Sequence, residues 1–254
     1  MKKTPKSAVP PRLVAYVAAT PNNTWDQLTE KKGRRKAVQA VLKSDQGGLC
    51  AYCEINMKGK DSSGDADFRV EHFHPKTDIS TTHNWHIDWQ NLLAVCHGGS
   101  RKDVVESATR FTSLHSCDVP KEDNIWDHVI LNPLLIPASP GLFKFDRSTG
   151  AMTVNEPQCT QAGVDPIKAQ ATIDNLQLDG SRLRNLRKPV MDVLNAKLIS
   201  LVNTGVPLAD ARQTLASALL KKDDQYHWPP FFSSIRDYLG NAAEQQLRNI
   251  GYNG

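Results

Sequence analysis

Apolar positions along the 254 residues fall into three regimes. From Thr24 the spacing is helical, with Trp25, Leu28, Val38, Val41 and Leu42 in one stripe and Thr24 to Gln27 at capping-box separation. Gly33 is expected to break this run into two pieces, and Gly47-Gly48 to end it. Ahead of it lies a short apolar segment, Pro10 to Thr20. In the middle of the chain the pattern shortens. Phe68 to Val70 and Leu92 to Val95 read as two strands, and the Gly- and Ser-bearing stretch from Lys58 to Asp67 as a loop. Trp126 to Ile130 and Leu131 to Leu135 read as packing segments, and Phe143-Lys144-Phe145 with Met152 and Val154 as a hairpin around Thr149-Gly150. Beyond Pro166 the helical period returns at Ile173, Leu176, Leu183, Leu186, Val190, Leu194, Leu198 and Leu201, with an interruption at Asp179-Gly180. Pro207 leads a helix from Leu208 to Leu220, and Pro229-Pro230 precedes a last one over about 232–249 that stops at Gly251. The pattern predicts an α+β protein: a helical segment over 1–48, a small mixed module over 49–135, then a hairpin and a helical region over 136–254.

Composition changes this picture little. An apolar fraction of 39% and a charged fraction of 23% are ordinary for a globular protein. A net charge of +4 tolerates an anionic partner without demanding one. No apolar run approaches the roughly 20 residues of a membrane helix. Pro5, Lys6, Pro10 and Pro11 stand where a signal peptide would be apolar, so the expected location is the cytoplasm. Lys31, Lys32, Arg34, Arg35 and Lys36 read first as a solvated helix face, with phosphate contact as the alternative. For Arg182, Arg184, Arg187 and Lys188 a solvated face and a partner contact are equally good readings.

The chemistry concentrates between Cys50 and Lys121. Cys50-Ala51-Tyr52-Cys53 has the spacing with which a short turn wraps one metal ion, and zinc takes four such ligands in a tetrahedron. Cys96 and Cys117 supply the other two if the segment between them loops out, with His97 or His115 as competing fourth ligands. The alternative is a redox pair at Cys50 and Cys53, but such a pair opens a helix after a strand and leaves Cys96 and Cys117 without a role. Cys159 stands apart.

Glu71-His72 follows the first strand, and Pro75 ends it. Phosphodiester hydrolysis needs a base, a hard cation and groups that orient both. His72 suits the base, Glu71 offers a carboxylate to Mg²⁺ or Mn²⁺, Asn91 can hold the histidine loop through its amide, and Asp118 can bring a second oxygen ligand. Singly, each residue has a duller explanation as a turn former or a surface group. The ordered set is what points to catalysis.

That set, Cys-Ala-Tyr-Cys-Glu, Val-Glu-His-Phe-His-Pro-Lys, Trp-x-Asn-Leu-Leu, Cys and Cys-Asp-x-x-Lys, resembles the HNH endonucleases with a ββα-metal site, most closely the HNH subunit of Septu antiphage defence systems, also found with some retrons. The resemblance covers about 49–123, and more weakly 175–187 and 228–247. It implies a zinc-stapled ββα-metal module within a mainly helical protein, with structural Zn²⁺ on Cys50, Cys53, Cys96 and Cys117. It further implies His72 as general base, Glu71 and Asp118 as ligands of a catalytic Mg²⁺ or Mn²⁺, and Asn91 as the middle asparagine. Asp118 stands where many members carry Asn or His, and the stretch from Gly98 to Ser116 is inserted between the last two cysteines. His74, Lys76, Arg101 and Lys121 are candidate nucleic-acid contacts. The implied activity is cleavage of nucleic acid, DNA first, with an ABC/SMC-like ATPase subunit as partner. RNA such as a transfer RNA, or a zinc module that binds without cutting, are the competing readings.

Overall fold

Two short antiparallel ribbons set among helices carry the architecture of this α+β chain; the computed structural model describes residues 1–57, 66–100 and 115–254. The elements in order are α1 (Pro11–Ala19), α2 (Trp25–Thr29), α3 (Lys32–Asp45), β1 (Arg69–His72), β2 (Leu92–Val95), β3 (Phe143–Phe145), β4 (Met152–Val154), α4 (Glu156–Gln161), α5 (Pro166–Asn175), α6 (Ser181–Asn203), α7 (Leu208–Leu219), α8 (Phe232–Leu239) and α9 (Asn241–Asn249).

The first ribbon pairs β1 with β2 in a register that sets Arg69 against Val95 and His72 against Leu92. All four β2 residues are buried, which explains a continuous Leu-Leu-Ala-Val run in place of alternation. On its far edge the Gln46 side chain, just past α3, takes the place of a neighbouring strand. Its amide donates to the carbonyls of Leu49 (2.8 Å) and Ala94 (2.7 Å) and accepts from Ala94 N–H (2.8 Å). The second ribbon sets Phe143 against Val154 and Phe145 against Met152, in the hairpin the alternation predicted.

Local signals explain most helix boundaries. Thr24 and Gln27 form the full capping box of α2, and Asp165 caps α5 ahead of Pro166. Four boundaries depart from the sequence reading. The segment after Pro10 is a helix with Pro11 at its first position, a place where the missing N–H costs nothing. The break between α2 and α3 falls at Glu30-Lys31, and Gly33 lies inside the first turn of α3. The short α4 precedes the predicted helical region. The last helix is two, because Gly240 at φ 59, ψ −128 adopts a conformation that side-chain-bearing residues avoid.

The C-terminal half is clamped onto the small module. Gly47 and Gly48 turn with φ 61 and 77, and the rings of Trp228 and His227 come within 2.4 and 2.5 Å of where Cβ atoms would stand. Trp228 N–H donates to Gly47 O at 2.9 Å, and Cys117 N–H to Leu176 O at 2.9 Å. The buried Glu54 carboxylate accepts from Ser233 N–H (2.8 Å) and Oγ (2.6 Å). For two members of the basic cluster of α6 the solvated-face reading is corrected. Arg182 and Arg187 are each 2% exposed. Arg187 donates to Gly150 O (2.5 Å) and Leu178 O (3.1 Å), and Arg182 to Ser116 Oγ (2.5 Å). Arg184 pairs with Asp179, and Lys188 with Asp192 at 2.6 Å. Among the described residues no helix is long and apolar enough to cross a membrane.

Candidate active site and metal centre

Three stretches of chain deliver one sulfur cluster. Cys50 and Cys53 flank a turn, Cys96 follows the last residue of β2, and Cys117 opens a run of turns over 117–123. The four sulfurs lie within 4.8 Å of one another. Individual separations are 3.9 Å for Cys50–Cys117, 3.6 Å for Cys53–Cys96 and 3.6 Å for Cys96–Cys117. Tetrahedral zinc with bonds of about 2.3 Å requires sulfurs about 3.8 Å apart. The cluster therefore fits zinc in donor type, number and size, and its complete burial makes it a closed structural site. At the base of the insertion Ser116 N–H donates to Gly98 O at 2.9 Å. Neither competing histidine joins the cluster: His97 Nε2 lies 3.2 Å from Asp67 Oδ1, and His115 is exposed.

Beside the sulfurs sits a pair of half-buried carboxylates. Glu71 Oε1 is 3.2 Å from Lys121 Nζ, and Asp118 accepts from Arg69 at 2.8 Å. Lys121, 1% exposed, also donates to the backbone carbonyl of His72 at 3.3 Å. Burial pushes the Glu71 carboxyl up to about 7 against the pull of Lys121, with the Asp118 charge adding to the rise. Burial likewise lifts Asp118 to about 6 against Arg69. The Tyr52 hydroxyl, from the turn between the first two cysteines, is buried without a hydrogen-bond partner. Burial, then the charges of Glu71 and Asp118, raise its pKa well above the usual phenol range.

The His72 ring lies at the end of β1, edge-on to Trp25 at 5.2 Å, with Nε2 3.1 Å from the His86 carbonyl. Burial lowers its pKa to about 4. The loop from His74 to Gln90 is pinned by Asn91. Its Oδ1 accepts from His74 N–H (2.7 Å), and its Nδ2 donates to His74 O (2.9 Å) and Trp85 O (3.0 Å). His74 faces inward, stacked on Trp85 at 4.0 Å, with its ring nitrogens 3.0 Å from Asp127 and 2.9 Å from Asp78.

The structure thus gathers Glu71, Asp118 and Lys121 with Arg69 and Tyr52, and places the His72 ring against Trp25 and His86. Lys76 is half-buried, 3.6 Å from Asp26. Arg101 lies outside the described residues. Three contributors were missed in the sequence. Tyr52 gave a signal in its adjacency to Cys53, and Arg69 in standing two residues before Glu71 on the same strand. His86 is half-buried and acts through its backbone carbonyl, which no side-chain pattern reveals.

No family model matches the chain. A relative from Escherichia coli described as "Retron Ec83 putative HNH endonuclease" is 34% identical over 211 residues, which span 75% of this chain and 79% of the relative. That identity over that coverage is enough to assign ancestry. The chain is a nuclease and belongs to the HNH endonuclease family, among its retron-associated members.

Proposed function

We propose that the chain hydrolyses phosphodiester bonds with His72 as general base and a divalent cation, Mg²⁺ or Mn²⁺, held by Glu71 and Asp118. The observation that carries this reading is the His72–His86 contact. A carbonyl only accepts, so Nε2 bears the hydrogen and Nδ1 keeps its lone pair. Burial keeps the ring uncharged, which is the state a base needs before it takes a proton. The cation fits the donor set: two hard carboxylate oxygens, with the unpartnered Tyr52 hydroxyl facing them. Bound there, it would polarise the scissile phosphate and stabilise the leaving oxygen.

The residues divide the work. His72 Nδ1 takes the proton of the attacking water as its oxygen bonds to phosphorus and the bond to the leaving sugar oxygen breaks. Lys121 and Arg69 hold the carboxylates in place. Asn91 is a positioning residue, because it fixes the loop whose His86 carbonyl sets the His72 tautomer. With His74 and Lys121 engaged internally, Lys76 is the described candidate for a substrate contact. The substrate in this reading is DNA. The setting is a cytoplasmic antiphage system with an ABC/SMC-like ATPase, supported by the resemblance to Septu and by the retron in the relative's name.

The test is incubation of purified protein with plasmid DNA and with transfer RNA, in Mg²⁺, in Mn²⁺ and in EDTA, alone and with an ATPase encoded beside it. Metal-dependent nicking that His72→Ala abolishes is the expected result. Undiminished cutting by His72→Ala refutes the assignment of the base, and cutting of transfer RNA alone moves the substrate to RNA.

A further inference from the structure

Charge is unevenly distributed along the chain. Residues 1–48 hold ten Lys and Arg against three Asp and Glu, a net +7, while the whole chain is +4 and the remainder therefore −3. Part of this excess lines one groove of about 500 Å³ between α1 and α3, bounded by Arg12, Tyr16, Lys31, Gly33 and Arg34. No acidic side chain lines it. Arg34 lies over the Tyr16 ring with its guanidinium carbon 4.4 Å from the centroid. Arg12 crosses toward α3, and its Nη1 stands 3.7 Å from where a Cβ on Gly33 would be.

The groove is wired to His72. Tyr16 Oη accepts from Asn23 Nδ2 at 2.7 Å. Asn84 Nδ2 in turn donates to the carbonyls of Asn23 (3.0 Å) and Pro21 (2.8 Å), which docks the histidine loop on the α1–α2 connection. Two residues later His86 holds the His72 ring, and Trp25 of α2 packs against that ring.

We propose that the α1–α3 groove is a docking track for the sugar–phosphate backbone of the nucleic acid, gripping it beyond the bond that His72 attacks. The proposal rests on the nuclease reading of the His72 site for its geometry, though not for its chemistry. Three cations converge on a trough without acidic walls, which is the complement of a polyanion. Tyr16, itself buried, holds the Arg34 guanidinium against its ring, which fixes that cation at the groove for a phosphate. A cation that meets a phosphate releases a condensed counterion and adds about 0.9 to the salt slope on duplex DNA, or about 0.7 on a single strand. Three such contacts contribute a slope of about 2.7, roughly a hundredfold in affinity near physiological salt.

The experiment measures binding without cutting: anisotropy of a labelled DNA duplex and of a labelled RNA, without added divalent cation, across a salt series. Arg12→Ala/Lys31→Ala/Arg34→Ala is expected to lose roughly a hundredfold in affinity and about 2.7 in slope on DNA. Gly33→Glu separates binding from folding. Its Cβ meets only ordinary contact, and a carboxylate in the first turn favours the helix dipole. It is expected to weaken binding with no loss of melting temperature. A control with three exposed lysines removed elsewhere, Lys144, Lys197 and Lys221, should bind like the wild type. The proposal is overturned if the groove triple variant binds within twofold of wild type, if Gly33→Glu keeps full affinity, or if the control falls as far as the groove variant. It is also overturned if the wild type binds neither nucleic acid at low salt, which would hand the surface to an acidic protein partner. Groove-dependent binding with no nicking in any metal would leave the docking track standing and remove the nuclease reading of His72 alone.

Discussion

Stripping the metal from the four-cysteine centre is predicted to unfold the module, not merely to silence it. The four cysteines are between 0% and 5% exposed, so sulfurs released from a metal cannot turn to water without opening the core. They are also a joint between three stretches of chain: the 50–53 turn, the end of β2 and the turns that begin at Cys117. The ribbon they fasten is only four residues per strand, and an isolated two-stranded ribbon of that size is marginal in water. Structural zinc contributes apparent binding energies of about 10–16 kcal/mol, against a total stability of about 5–15 kcal/mol for a domain. Losing even about 4 kcal/mol of this would lower the melting temperature by roughly 8–16 °C at this size.

The assay pairs metal content by mass spectrometry with thermal melting followed by circular dichroism, before and after a chelator or a thiol-binding mercurial. One zinc per chain and a large fall on its removal are expected, with part of the helical signal from the C-terminal half surviving. Cys53→Ser should behave like stripped protein. Cys159 is an internal control, since it is buried in α4 with its sulfur 3.5 Å from Leu142 O and away from the cluster. Cys159→Ala should keep its zinc and nearly all its stability. Metal-free protein that melts where the loaded protein does would refute the argument.

Four other outcomes follow from the same geometry. His72→Ala should lose about 10²–10⁴ in cleavage rate, keep its zinc, and cost about 2 kcal/mol from the emptied contact with Trp25, all checked on one preparation. Asn91→Ala removes three hydrogen bonds and should cost about 3 kcal/mol in urea unfolding while lowering cleavage, which Asn91→Asp should not rescue because it cannot donate. Arg187→Met leaves the Gly150 and Leu178 carbonyls unpaired and should cost about 2–4 kcal/mol, read from the urea midpoint. For Lys6 the sign is opposite: burial holds its ammonium at about 7, below the ordinary 10.5. The unfolded chain binds the extra proton between those values, so Lys6 weakens the fold below pH 7 and the penalty fades as pH rises toward 10. Lys6→Met should therefore raise the melting temperature at pH 7 and lose that gain by pH 10, even though it gives up the bond to Leu92 O.

What was legible in the sequence was whatever a local rule controls. The capping box at Thr24, the double-glycine stop after α3, the alternation of β3 and β4 and the pause at Asp179-Gly180 all depend on neighbours within four residues. The cysteines, Glu71, His72, Asn91 and Asp118 could be picked out because their residue types are costly to place without a reason. What was hidden depended on partners far away in sequence. Arg182 and Arg187 look like a solvated helix face until Ser116, Gly150 and Leu178 arrive to satisfy them. Gly240 looks tolerable inside a helix until its positive φ splits α8 from α9. The His86 carbonyl is invisible because every residue has one.

The closeness of the sulfur cluster to the carboxylates has a mechanical meaning. Tyr52 lies between two of the cysteines, Asp118 directly follows a third, and the fourth directly follows the strand whose register fixes Glu71 opposite Leu93. A change in the position of Cys50, Cys53 or Cys117 is therefore passed within one or two residues to a group of the proposed site, and a change at Cys96 reaches Glu71 through the strand pairing. A larger enzyme could hold the same groups with a wide sheet and a deep core. Here the strands are too short for that, and buried sulfur ligands replace the missing sheet. Loosening the metal centre should consequently degrade cleavage before it degrades the fold, because tenths of an ångström matter to the chemistry and not to the packing.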